Sequence, residues 1–113
     1  ALPASWIHFA DGTVRRDVSI AELTQALATD GVTVWVDLDT TKSAHVALLE
    51  KVFKFHPLAI EDTLNPNSRV KLDEYDGHLF AIIRGVQFDR TTEDPLDLAT
   101  FNLCFFLARN LLV

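Results

Sequence analysis

With 113 residues, 49% of them hydrophobic, the chain has the length of one domain and enough apolar material to bury about two-thirds of the surface its unfolded form exposes. Its net charge of −6 repels phosphate-rich partners, so nucleic-acid binding is not expected. The longest apolar run, Leu103 to Ala108, is far short of the ~20 residues of a membrane helix, no basic-then-apolar leader opens the chain, and the single cysteine, Cys104, excludes a disulfide framework and fits a reducing, intracellular setting.

Trp6 to Phe9 and Val14 to Val18 flank Asp11-Gly12, a dipeptide suited to a tight hairpin turn. Ser19-Ile20-Ala21-Glu22 has the spacing of a capping box, with Val18 and Leu23 placed as a hydrophobic staple. Ile20, Leu23, Ala26 and Leu27 recur at helical spacing, and Asp30-Gly31 ends the helix near Thr29. Val32-Thr33-Val34-Trp35-Val36 is apolar on both faces, which predicts a central strand inside a sheet covered on both sides.

Thr40 or Thr41 is then placed to cap a second helix with the stripe Val46, Leu49, Val52 and Phe53, leaving Lys42, Glu50 and Lys54 toward water. A short third helix is predicted from Pro57, tolerated at a first helical position, to the residue before Asn65-Pro66. The second half reads as β: Val70 to Tyr75 and Leu79 to Phe88 around Asp76-Gly77, then a polar loop between Asp89 and Pro95. From Leu98 to Leu107, Ala99, Phe101, Leu103, Phe105 and Leu107 alternate with Thr100, Asn102 and Cys104, and Asn110 turns the chain into a last apolar segment. Helices confined to the first half and hairpins in the second predict an α/β domain with a mixed parallel/antiparallel sheet covered by helices. Because the chain lacks methionine altogether and stops within Leu111-Leu112-Val113, it is expected to be a fragment of a longer protein.

Asp37-Leu38-Asp39-Thr40-Thr41 directly after an apolar strand has the form in which haloacid-dehalogenase-like phosphatases present a nucleophile and an acid. Asp37 would attack phosphorus and Asp39 would protonate the leaving oxygen, with Mg²⁺ offsetting the charge. The plainer reading, preferred here, is that both aspartates cap the turn into the second helix, since the later basic residue and strand-borne acidic pair of such enzymes are missing. His8, His45, His56 and His78 lack metal-ligand spacing, and His56 before Pro57 reads as a helix cap or packing residue. Glu61 and Asp62 fall near the C-terminal end of the short helix, where the dipole disfavours carboxylates, so something positive should sit nearby. Two partners fit: Arg69 or Lys71 in a surface salt bridge worth ~0–1 kcal/mol, or a hard divalent cation that takes oxygen ligands and keeps several waters.

Taken in order, Trp35-Val36-Asp37-Leu38, Phe55-His56-Pro57-Leu58-Ala59-Ile60-Glu61-Asp62, Leu64-Asn65-Pro66 and Arg69-Val70-Lys71-Leu72-Asp73-Glu74-Tyr75 resemble the soluble domain of CorA-type divalent-cation transporters. Leu79-Phe80-Ala81-Ile82-Ile83, Phe105-Phe106-Leu107 and Asn110-Leu111-Leu112-Val113 are similar to the strands that follow in that family, while Val70 stands where relatives commonly carry proline. The resemblance covers the chain from about Trp35 onward and implies an αβα sandwich. It also implies that residues 1–113 are one cytoplasmic regulatory domain, cut before a long helix and two membrane helices. Identical subunits would form a homopentamer on the cytoplasmic face of the membrane, anchored through the missing C-terminal segment. Mg²⁺, or Co²⁺ or Zn²⁺, would be both regulatory and transported ion, and no catalysis is implied. At the place of Asp62 the family carries an aspartate that binds a regulatory ion between subunits, with Glu61 lying beside it. A third reading is an α/β oligomerisation module with no ion role.

Overall fold

The Asp11-Gly12 turn closes the first hairpin because Gly12 takes φ +89°, an angle glycine adopts without steric cost. In the computed structural model, which describes residues 2–88 and 98–113, the hairpin strands are β1 (Ala4–His8) and β2 (Val14–Arg16). Ser19 caps α1 (Ile20–Leu27), its Oγ accepting the N–H of Glu22 at 3.2 Å. The reciprocal arm of the capping box is redirected: the Glu22 carboxylate pairs with Arg15 at 2.8 Å, tying the helix start to β2.

After α1 come β3 (Thr33–Asp37), α2 (Ser43–Lys51), α3 (Pro57–Leu64), β4 (Lys71–Tyr75), β5 (His78–Phe88), β6 (Leu98–Ala108) and β7 (Leu111–Leu112). They form one seven-stranded sheet in the order β2-β1-β3-β7-β6-β5-β4. Among the described residues β3 and β7 alone run parallel; the other neighbouring pairs are antiparallel, so the sheet is mixed, with β3 inside it as expected. Asn110 locks the parallel pair. Its carbonyl accepts the Val34 N–H at 2.8 Å and its Nδ2 donates to the Leu27 carbonyl at 3.1 Å, joining the β6–β7 turn to β3 and to the end of α1. The second helix starts later than either threonine, with Thr41 drawn back onto Asp39: Lys42 is its N-cap and makes no side-chain cap bond, since an ammonium has no acceptor. The polar loop read between Asp89 and Pro95 lies outside the described residues.

One face of the sheet carries the core. Ile7, Val34, Val36, Phe80, Ile82, Phe106 and Leu111 are buried there against Leu23 and Ala26 of α1, Leu49 of α2, Phe53 after it and Ala59 of α3. The opposite face is open, so the expected coverage of β3 on both sides does not hold within this chain: Trp35 is 53% exposed between buried Val34 and Val36. The cross-strand pairs Trp6↔Trp35, Trp35↔Leu112, Leu112↔Leu107, Leu107↔Leu79 and Leu103↔Ile83 run along that same face, because opposed residues in a ladder share a side. On β6 the apolar set Phe101, Leu103 and Leu107 is thus exposed, while Phe106 points into the core. The described molecule is elongated, 51 × 29 × 24 Å, with a radius of gyration of 16.0 Å, against about 13 Å for a compact domain of this length.

Candidate metal site at the end of the third helix

The third helix is set at both ends by its own sequence. His56 is the N-cap, its Nδ1 accepting the Leu58 N–H at 3.1 Å, and Pro57 occupies the first turn, where its missing donor is not needed. At the other end Asn65 N–H bonds the Glu61 carbonyl at 3.1 Å and Ser68 Oγ donates to the Asp62 carbonyl at 2.7 Å. Asn102 of β6 donates to the Ser68 carbonyl at 3.1 Å, which fastens the loop after α3 to the sheet. The chain therefore re-enters as β4 directly beside the last turn of the helix.

Along β4 the side chains alternate, so Lys71, Asp73 and Tyr75 share the helix-covered face while Leu72 and Glu74 look away. Lys71 Nζ closes on Asp62 Oδ2 and also on Asp73 Oδ2, the latter at 2.9 Å. Of the two bases expected to answer the helix-end carboxylates, Lys71 is the one that does. The hydrogen bond to Asp62, then that to Asp73, holds the ammonium charged well above the ordinary lysine range. Asp62 remains reachable, its side chain 29% exposed, and Glu61 is exposed beside it. Together with Leu58, Asp73, Glu74 and Tyr75 they line an open cleft. Asp73 was not singled out in the sequence; its two-residue spacing from Lys71 on a strand was the signal available.

Apart from the Lys71 ammonium, which is charged and cannot ligate a cation, the polar side chains lining this cleft, Glu61, Asp62, Asp73, Glu74 and Tyr75, offer oxygen, the chemistry that suits Mg²⁺ and related hard ions. The set is incomplete within one chain. No three His, Cys, Asp or Glu side chains among the described residues converge closely enough to hold a metal, and consecutive helical positions such as Glu61 and Asp62 diverge by about 100°. An ion here would take one or two carboxylate oxygens from this chain and the rest from water or a neighbour.

Of the two aspartates expected to cap the turn into α2, Asp39 makes cap bonds, and these stay within the turn itself. Asp39 Oδ1 accepts from Thr41 N at 2.9 Å and Thr41 Oγ1 at 2.6 Å, and Asp39 N–H donates to His45 Nδ1 at 3.0 Å. The Thr41 hydroxyl, then its N–H, holds the Asp39 carboxyl below its ordinary range, the wrong direction for a proton donor to a leaving group.

Near the start of α3 the His56 ring stacks on Tyr75 at 4.5 Å, Tyr75 lies 5.3 Å from His78, and His78 lies 5.0 Å from Phe55. Burial first, and the nearby His56 second, push His78 below the ordinary value of 6.5. Its unfolded form then binds protons at a pH where the folded form does not, so the contribution is fully present above about 6.5 and is lost as pH falls through the folded value. Urea midpoints are expected to drop between pH 7 and 5, and His78→Gln should flatten that slope; equal slopes would show that another group drives the loss.

Residues 30–113 match the family model described as CorA-like Mg²⁺ transporter protein. Over 64 residues the chain is 39% identical to a Bacillus subtilis (strain 168) protein described as "Putative metal ion transporter YfjQ", covering 57% of the chain and 20% of that protein. The fold is similar to that of the full-length CmaX protein, with a TM-score of 0.71 and 19% identity over 98% of this chain and 34% of that one. It is also similar to the CorA magnesium transporter from Methanocaldococcus jannaschii, with a TM-score of 0.63 and 14% identity over 96% of this chain and 30% of the other. The chain thus spans about a fifth of the curated relative and about a third of the solved chains.

Proposed function

The chain belongs to the CorA-like Mg²⁺ transporter family, and from that premise we propose that it is the cytoplasmic metal-sensing domain of a divalent-cation transporter or channel. The observation that carries the reading is the position of Asp62: a partly exposed carboxylate at the last turn of α3, in an open, carboxylate-bearing cleft where it already accepts a cation, the Lys71 ammonium. In the assembled protein, a homopentamer in this reading, a neighbouring subunit brings further carboxylates to the same cleft and Glu61 adds charge beside it. A bound Mg²⁺ offsets repulsion between the facing acids and holds the closed state; its loss lets that repulsion favour a looser, conducting state. Co²⁺ or Zn²⁺ can replace Mg²⁺ as sensed and transported ion. The domain itself carries no catalytic role, and transport belongs to membrane helices outside these 113 residues, at the cytoplasmic face of the membrane.

The open face of the sheet supports the domain part of this reading. Chain outside the 113 residues covers Trp35, Leu79, Leu103 and Leu107 and completes an αβα sandwich, leaving the end of α3 free to meet a neighbour.

The sensor role is tested on the full-length transporter by the Mg²⁺ concentration that half-protects it from proteolysis. Asp62→Ala is expected to raise that concentration on the order of tenfold. Equal protection of both proteins would remove Asp62 as a sensor and leave an assembly module with no ion role.

A further inference from the structure

Lys71 is more than a bland surface partner. Its ammonium contacts two carboxylates that belong to different elements, Asp62 of α3 and Asp73 of β4, and it lies 6.0 Å over the Phe80 ring, with only 33% of its side chain exposed. The loop between α3 and β4, pinned by Ser68 and Asn102, fixes that reach. One oxygen of Asp62 is therefore already taken by a cation that cannot diffuse away. A divalent ion arriving at the same carboxylate meets a resident positive charge within a few ångströms, where repulsion is strong even in a partly solvated setting.

We infer that Lys71 is a tethered counter-ion that sets the divalent-cation affinity of Asp62, and that Asp73 is the anchor to which its ammonium retires when an ion binds. The inference rests on the reading of Asp62 as an ion ligand. It goes further by assigning a residue of the same chain the task of keeping the site weak. Without an ion, Lys71 neutralises Asp62 and steadies the helix end. With one, the ammonium keeps its bond to Asp73 and gives up Asp62, so ion binding also loosens the link between α3 and β4.

The test uses the full-length transporter, MgCl₂ as the only divalent salt, and chymotrypsin, whose cleavage sites do not include lysine. Lys71→Gln is expected to lower the half-protecting Mg²⁺ concentration about tenfold, Lys71→Arg to leave it near wild type, and Lys71→Gln in the Asp62→Ala background to match Asp62→Ala alone. A residue that merely staples α3 to β4 would act the other way, with Lys71→Gln weakening protection. An unchanged or higher concentration in Lys71→Gln, alongside weakened protection in Asp62→Ala, overturns the counter-ion while the sensor reading stands. Unchanged protection in Asp62→Ala removes both. If Lys71→Gln does not assemble, Asp73→Asn decides: with its second anchor gone the ammonium belongs to Asp62 alone, and the Mg²⁺ requirement should rise; no rise overturns the inference.

Discussion

Phe106→Ala is expected to destabilise the 113-residue chain by about 3–5 kcal/mol, read as a lower urea midpoint at unchanged slope. The ring is 1% exposed. It stacks on Phe55 at 4.1 Å with 13° between the planes, and meets Phe80 at 4.8 Å. Each aromatic contact adds about 0.5–1.5 kcal/mol beyond burial, and the backbone of Phe106 exchanges both hydrogen bonds with Val113, so the strand cannot shift to close the cavity. Small domains hold only about 5–15 kcal/mol in total, which makes this loss a large share. One position further on, Leu107 is 49% exposed on the other face, and Leu107→Ala should cost below about 1 kcal/mol. Similar losses at the two positions would mean that the faces of β6 are assigned the wrong way round.

That contrast marks where local sequence signals stop being informative. Turns and caps were legible because their chemistry is local: Gly12, Gly31 and Gly77 all take positive φ where Asp-Gly pairs stood, and Ser19 and His56 cap the helices that follow them. The facing of β6 was not, since Phe101, Leu103 and Leu107 on one side and Cys104, Phe106 and Ala108 on the other are both apolar, and a period of two cannot choose between two apolar sets. The parallel pairing of β3 with β7 joins Val34 to Leu111 across most of the chain and leaves no short-range trace. The candidate site divides in the same manner. Glu61 and Asp62 stood out because carboxylates at a helix C-terminus oppose the dipole, and Lys71 was one of two bases within reach. That Lys71 also holds Asp73 depends on the strand setting both on one face, a fact of register.

The largest difference between this chain and the longer protein of the proposed function is expected from Leu103→Asp. In the 113-residue chain Leu103 is 43% exposed on the open face, so an aspartate there can remain in water and should change stability by no more than about 1 kcal/mol. In the longer protein proposed above, the covering layer would enclose that carboxylate among Leu79, Ile83 and Leu107, and an unpaired buried charge costs roughly 3–5 kcal/mol. Assembly should then fail, or the melting temperature fall by many degrees, in the long protein alone. Trp35 supplies an independent reading on the same face: it lies against Trp6 with ring centroids 4.9 Å apart and planes tilted by 35°, and its emission should shift to shorter wavelength once the covering chain is present. Contiguous apolar patches above a few hundred Å² seldom stay bare on a soluble protein, which is why the short and long chains should diverge here and nowhere else on the sheet. If Leu103→Asp is tolerated equally in both, the face stays wet in the assembled protein, and the second layer of the sandwich must be sought elsewhere.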